Sequence, residues 1–588
     1  MYFTEGKQRA FELLMQQKPG FDRYQSGCAG DDEACGTCRF YRPQWIHISP
    51  HVSKAVISQS ETTAFLYIST HFQKSKTSEK ESYNMKTMEE KILGLIMDHE
   101  KNGNVYHTRK DIIAWTQGRC PEITEDEVNL SLAHLSQEGY LVRIGNDYAI
   151  TETRYAEDQA ARLTAELIRH NTPPSEIDIT AAMALAEEGL GFTLSPGQSA
   201  AVRGAMTHRA SIITGGPGTG KTTVLRALCD AFEAYSNESI QLLAPTGKAT
   251  RRLSEQTGRP AMTVHALLRS LEQEDAGLGA GLMVIDEASM LSIPLFFEVL
   301  RALPRKMRLV LVGDPNQLPA VGPGQVLKDL LTSGLPVYRL TRNYRQGEHS
   351  VIRDNLSLIL NGCSKLHYNR DHFLFLESSS IQDTESLALS IYLALRAEHG
   401  NGAQLLTPLG PAGGSCSAVQ FNRLAQAHLN PPSDQKLEIK VGDNILRLGD
   451  RVIQTVNNSS ARNGDVGTIV GIIGDSSVTV QIKFDFDEDN VVCYPVSMLG
   501  DGLLQLAYAL TVHKAQGSEY DYVVIPLAKE HIFSWSVNML YTAVSRAKQR
   551  VVLVGSRWLL EQTLRAKLPP CRSDLSNKIQ RCLSNPAA

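Results

Sequence analysis

A surplus of one charge is missing from this chain: 588 residues carry 59 Lys plus Arg against 63 Asp plus Glu, a formal net charge of −4. No whole-molecule cationic field advertises a polyanion, so any nucleic-acid site has to be a local basic groove on a near-neutral body. Cysteine is scarce as well, with 10 in the chain, which excludes a disulfide-dense secreted scaffold. The opening MYFTEGKQRAFELLMQQKPG lacks the apolar core of a signal peptide. No apolar run approaches the roughly 18 to 20 residues needed to cross a bilayer. These absences together predict a soluble, reduced, cytoplasmic protein with no membrane partner. What remains is ordinary globular composition, 42% hydrophobic and 21% charged, at a length suited to about four compact units.

Three of the few cysteines crowd together as Cys28, Cys35 and Cys38, ending in a CxxC pair. Thiolates at that spacing suit tetrahedral zinc or an iron–sulfur cluster, with His47, His51 or Cys120 as a fourth ligand; reduced structural cysteines are the competing reading. We take 1–72 as this Cys-containing region and 73–87, QKSKTSEKESYNMKT, as a polar linker. In 88–190, Met88, Ile92, Leu95 and Ile96 fall at helical spacing. Thr124 and Glu127 form a capping box before the stripe Val128, Leu132 and Leu135, and Gly139 stops that helix. LVRI, the turn GND and YAI then read as a hairpin. Helices followed by a hairpin suggest a winged-helix-like module, either a duplex binder or a packing module.

Beyond 190 the texture changes to short apolar runs alternating with helical stretches: SIIT, QLLAPT, LMVIDEA and RLVLVGD, then AQLLTPL, DYVVIPL and RVVLVG. That alternation predicts an α/β fold with parallel sheets. Boundaries fall at 191–335 for a first domain and 336–438 plus 503–562 for a second, with 563–588 a C-terminal tail. Residues 439–502 read as a small inserted β-barrel, β-branched and punctuated by Gly, Asn and Asp.

The segment Gly215-Gly216-Pro217-Gly218-Thr219-Gly220-Lys221-Thr222-Thr223 sits between the strand SIIT and a helix. Glycines let backbone N–H groups converge on phosphate oxygens, and the helix N-terminus adds partial positive charge. Lys221 is placed to neutralise the β- and γ-phosphates of ATP, and Thr222 to hold Mg²⁺. Downstream, LMVIDEAS sets Asp286 and Glu287 at the carboxyl end of a strand, where open parallel sheets bind ligands. Asp286 suits the magnesium and Glu287 suits the base that orients the attacking water.

With these motifs in hand, the chain resembles the superfamily 1 helicases, and among them the RecD-like branch of ATP-dependent DNA helicases. The resemblance runs in order through FTLSPGQSAAV, GGPGTGKTT, LLAPTGKAT, AMTVHALL, VIDEASM, LVGDPNQLPAVGPG, LTRNYRQ, GDRVIQTVNN, NGDVG, YALTVHKAQGSEYD and YTAVSRAK. It implies two RecA-like domains, an inserted SH3-like barrel, and DNA-stimulated ATP hydrolysis coupled to closure of the two domains. By the same resemblance Gln198 reads adenine and Gln317 senses the γ-phosphate. Arg345 and Arg546 reach the γ-phosphate from the second domain, and Gly517 and Glu519 lie near the phosphates and ribose. A planar, multi-donor cation fits the spread charge of a phosphoryl-transfer state.

Single-stranded DNA and its junctions with duplex are the implied partner. The implied contacts are Pro245, Thr246 and Lys248, Thr263 and His265, Asn457, and Thr511, His513 and Lys514; hydroxyl, imidazole and ammonium groups all bond phosphate oxygens. Polarity of 5′ to 3′ comes from the family alone. One departure stands out: family members carry a strand-splitting hairpin between the TVHALL and DEAS blocks, where this chain has only RSLEQEDAGLGAG. That keeps open a second expectation, a translocase or nucleoprotein remodeller that unwinds weakly, as a monomeric motor or within a complex docked through the N-terminal region.

Overall fold

A computed structural model describes residues 87–170, 176–273, 278–279, 281–342, 351–410, 414–434, 436–442, 444–458, 460–474, 478–487, 489–566 and 571–585. Cys28, Cys35, Cys38 and Arg345 lie outside these residues. The chain divides into two compact units, Met1–Leu95 with Arg109–Glu152, and Ile96–Thr108 with Thr153–Ala588.

In the smaller unit the helix Glu125–Gln137 starts at a reciprocal cap: the Glu127 amide donates to the Thr124 hydroxyl, and the Glu127 carboxylate accepts from the Thr124 amide. Val128, Leu132 and Leu135 are buried on one face. The hairpin Leu141–Ile144 with Asp147–Ile150 pairs Leu141 with Ile150 and turns through Gly145 at φ 63°. A helix that the sequence reading did not single out, Arg109–Arg119, buries Ile112, Ile113 and Thr116.

The larger unit holds two parallel sheets, here the first and second lobes. The first is six-stranded, ordered Ala261–Thr263, Ser239–Ala244, Gly281–Ile285, Arg308–Gly313, Ala210–Gly215, Val337–Leu340. Strands such as Gly281–Ile285 are buried along their whole length, as expected of a parallel sheet covered on both faces. Val337–Leu340 pairs beside the phosphate-loop strand, with Gly215 opposite Leu340, so this strand from the 336–438 segment belongs to the first lobe. A short apolar run does not reveal which of two similar sheets it will complete.

The second lobe is five-stranded, ordered Phe373–Glu377, Ala547–Gly555, Tyr520–Leu527, Ala403–Thr407, Ala509–Thr511. Its chain is interrupted by an antiparallel sheet of Val491–Pro495, Thr479–Phe484, Val466–Ile473, Arg451–Gln454 and Leu504–Leu506, with the hairpin Glu438–Val441 and Asn444–Arg447 before it in sequence. Thr479–Phe484 alternates partly exposed and buried positions, the period of a half-buried strand.

The lobes share a duplicated edge. In the first, Leu242, Leu243 and Ala244 pair with Ala261, Met262 and Thr263. In the second, Leu405, Leu406 and Thr407 pair with Ala509, Leu510 and Thr511 in the same register. The first pair continues into Pro245-Thr246-Gly247 and Val264-His265, the second into Pro408-Leu409-Gly410 and Val512-His513.

The region read as a tail, 563–588, takes in the end of the helix Arg557–Arg565 and the whole of the helix Leu575–Ser584. The latter returns to the first lobe, where Leu575 and Ile579 are fully buried in its core. Val105 N and Tyr106 N donate to Arg572 O, and buried Lys578 pairs with Glu157 and, at 2.6 Å, with Asp158. No helix among the described residues is long and apolar enough to cross a membrane.

Candidate active site

The phosphate loop needs its glycines. Gly218 and Gly220 hold φ of 77° and 80°, which L side chains rarely adopt. A Cβ on Gly215 would stand 2.5 Å from the Thr219 hydroxyl and 2.9 Å from Leu340 O. Gly220 then leads directly into the helix Lys221–Tyr235, whose amino end faces the loop. Lys221 Nζ donates to Gly215 O at 2.7 Å and Gly216 O at 3.0 Å, which parks the ammonium within the cradle.

Three adjacent strands carry the rest of the first lobe's chemistry. Asp314 follows Arg308–Gly313, which pairs beside the phosphate-loop strand, and Asp286 follows Gly281–Ile285, one strand further out. Burial, then the neighbouring Glu287 carboxylate, pushes the Asp286 carboxyl up to about 6. Glu287 has φ 51°, the sole positive φ at a non-glycine among the described residues, and its amide donates to Asp286 Oδ1 at 2.9 Å. A left-handed glutamate is a strained backbone that the surroundings must hold in place, and such positions cluster at functional sites.

A cavity of about 260 Å³ joins these parts: loop residues 217–223, Asp286, Glu287 and Gln317 from the first lobe, with Gly517, Glu519 and Arg546 from the second. Arg546 is 3% exposed. It donates to Thr542 O, Ser545 Oγ and Ser518 O. Burial lowers its proton affinity, while Glu287 and Glu519 oppose that shift.

The strand-contact candidates lie at the carboxyl ends of the duplicated edge strands. Thr246, Thr263 and Thr511 each accept an amide three residues ahead, from Ala249, Ala266 and Lys514. A hydroxyl used as acceptor keeps its hydrogen to donate. His265, His513 and Lys514 are exposed, yet surrounding protein lowers the pKa of each, by desolvation first. Lys248 Nζ sits 5.7 Å from the centre of the Tyr520 ring. Asn457 lies in the inserted antiparallel sheet's loop, its Oδ1 accepting Asn463 N at 2.7 Å.

Residues 193–374 match the family described as AAA domain, 421–484 the ATP-dependent RecD-like DNA helicase SH3 domain, and 506–554 the UvrD-like helicase C-terminal domain. The chain is 35% identical over 416 residues to the ATP-dependent RecD2 DNA helicase of Deinococcus radiodurans, a match covering 68% of this chain and 54% of that relative. The chain belongs to the RecD-like helicase family. This RecD-like chain thus spans about half the length of that relative. It is also 29% identical to the RecBCD enzyme subunit RecD of Mycolicibacterium smegmatis, across 61% of this chain and 70% of the relative. Among solved structures it is similar to the Pif1 helicase of Candida albicans, at 17% identity and TM-score 0.40, over 63% of this chain and 96% of that one.

Some of the expected site residues are not among those lining the cavity or lie outside the described residues. Gln198 is not among the cavity-lining residues; its Oε1 accepts from Ser195 N and Oγ at 3.1 Å each, as the N3 residue of a capping box. Gly216 is likewise not among the lining residues, and a Cβ placed on it would stand 3.3 Å from the Tyr541 hydroxyl. Arg345 and the cysteine triad fall outside the described residues. Among the described residues no three His, Cys, Asp or Glu side chains gather as a metal site, and Cys120 is a free thiol.

The cavity also includes Arg252, Gln256 and Ser545, which motif reading missed. Arg252 bonds Glu519 across the lobes at 2.6 Å. Lys248, Arg252 and Gln256 repeat every four residues along Gly247–Thr257, a helical face legible beforehand.

Proposed function

We propose that this chain is an ATP-driven DNA motor that steps along single-stranded DNA, 5′ to 3′, and separates duplex ahead of it. The observation that carries the reading is the duplicated edge: one cleft between two lobes, each lobe bearing a threonine and a histidine in the same strand register. Closing such a cleft moves one grip toward the other, and reopening moves the second away, an inchworm cycle. Phosphate-led contact at hydroxyls, imidazoles and Lys514 is tolerant of sequence and sensitive to salt.

In the cleft, Lys221 and the loop amides cradle the triphosphate, Glu287 orients the attacking water, Gln317 meets the γ-phosphate, and Arg546 with Arg345 takes up the developing charge. The donor set fits a divalent cation: a threonine hydroxyl at the helix start and a carboxylate whose crowded setting favours a positive neighbour. Thr222 and Asp286 would hold magnesium, which neutralises charge on the phosphates when bound.

A second reading, a translocase or remodeller with weak unwinding, is favoured by one observation. Helix Val264–Gln273 fills the start of the interval before Gly281, and no strand lies there among the described residues. The relatives named as RecBCD subunits support the use of such a motor within a complex.

ATPase assays with and without oligo-dT, beside forks carrying a 5′ or a 3′ tail, test both. Strand-stimulated turnover with preferential opening of 5′-tailed forks is expected. A 3′ preference overturns the polarity, stimulated turnover without strand separation favours the second reading, and turnover indifferent to strand removes the motor altogether.

A further inference from the structure

The helix Val537–Val544 carries polar side chains at Asn538, Tyr541, Thr542 and, just past its end, Ser545. That is the i, i+3, i+4, i+7 spacing of one helical face, on a segment otherwise packed into the second lobe's core. The stripe faces the first-lobe loop that contains Gln317. Tyr541 donates to Asp314 Oδ2 at 2.7 Å, Asn538 Nδ2 to Asn316 O at 2.8 Å, and Leu318 N to the Thr542 hydroxyl at 3.0 Å. Gln516, also of the second lobe, donates to Leu318 O at 3.2 Å. Every second-lobe partner is about 200 residues or more away in sequence and most of the atoms are buried, so the loop's shape depends on the opposite lobe. The same stripe holds the arginine: Arg546 Nε donates to Thr542 O at 3.1 Å and its Nη2 to Ser545 Oγ at 2.8 Å. The Tyr541 hydroxyl stands 3.3 Å from where a Cβ on Gly216 would lie, so it also abuts the phosphate loop.

We propose that Asn538, Tyr541 and Thr542 are positioning residues of the hydrolysis site. They dock the Gln317 loop onto the helix that ends at Arg546, so that glutamine and arginine approach the γ-phosphate as one assembled pair. The proposal rests on reading the cleft as an ATP site. It makes hydrolysis conditional on lobe docking, because the Gln317 loop takes its cross-lobe contacts from the helix whose own lobe already holds Arg546.

The test uses the full chain with Y541F, T542V, T542S and the double variant Y541F/D314N. Phe keeps the ring packing and Ser keeps the hydroxyl. For Y541F and T542V, strand-stimulated kcat falls about ten- to a hundredfold, the scale of a misplaced reacting group. KM for ATP stays within about twofold, since ground-state binding is untouched. T542S retains turnover, and the double variant is no worse than Y541F, because both remove one contact. A thermal-shift series with ADP and ADP–aluminium fluoride reads docking without hydrolysis: Y541F keeps the ADP shift and loses the additional shift given by the analogue. Wild-type kcat and wild-type analogue shift in Y541F and T542V overturn the proposal, as does a rise in KM with kcat intact. A wild-type chain without strand-stimulated turnover, in which Y541F still loses the analogue's additional shift, sinks the motor reading and leaves the docking stripe supported.

Discussion

The two lobes approach the same cleft with opposite ends of their sheets, and they supply opposite kinds of chemistry. The first presents carboxyl ends of strands and the amino end of the helix Lys221–Tyr235, so backbone N–H groups and a partial positive charge already point at an anion. The second presents amino ends: Glu519 precedes Tyr520–Leu527, Arg546 precedes the adjacent Ala547–Gly555, and the helix Val537–Val544 ends there with its carbonyls. A helix carboxyl end repels phosphate, so positive charge on that side must come from a side chain, and Arg546 supplies it while bonding the helix's own last-turn carbonyl at Thr542. On the proposed reading, one lobe holds a triphosphate and the other acts on it.

That division predicts different failures. The largest belongs to the cradle: Lys221→Ala should lower strand-stimulated turnover by about a thousandfold or more and weaken ATP binding, measured by ATPase and by titration with a fluorescent ATP analogue, while DNA affinity in filter binding stays near wild type. Intact turnover in that variant breaks the comparison at its root. Next, Arg546→Lys keeps a charge but loses the planar fork, and should cost about 10² or more in kcat with only a small change in nucleotide affinity. Equal loss of binding in the lysine variant would mean that both lobes hold the substrate.

The parts of this site visible in sequence are those encoded by neighbours. The glycine loop and the Asp286-Glu287 pair each depend on residues within one turn, so spacing alone revealed them, as it revealed the Thr124 cap in the smaller unit. Arg252 is equally local, one turn beyond Lys248 on the same helical face, but its partner Glu519 lies in the other lobe. The stripe Asn538, Tyr541, Thr542 was legible as polar positions at helical spacing, but its partner, a loop more than 200 residues upstream, was not. The docking of Leu575–Ser584 was hidden for the same reason: Lys578 meets Glu157 across 421 residues. Gln198 shows the converse, a residue whose local capping role is plain in sequence while its reach to a ligand is not.

The smallest effect sharpens the view of the first lobe away from the cleft. Burial, against a lowering hydrogen bond from Ser573, pushes Asp329 up from 3.8 to about 6. Its folded pKa lies above its unfolded one, so it favours folding fully below about pH 4 and that contribution is lost as pH rises through about 6; above that, the ionised group costs stability. Asp329→Asn should therefore raise the melting temperature at pH 8, by an amount equivalent to about 1–3 kcal/mol, with the gain vanishing toward pH 4 in a pH series of melts. A gain that persists unchanged at low pH would place the carboxylate outside the packed contact with Ser573.

The return of Leu575–Ser584 to the first lobe means the polypeptide crosses between the halves twice, once on the way out after Leu340 and once on the way back before Arg572. The second lobe is thus tied to the first at both ends of its sequence, so pulling the two apart also loads the buried seat of Leu575 and Ile579.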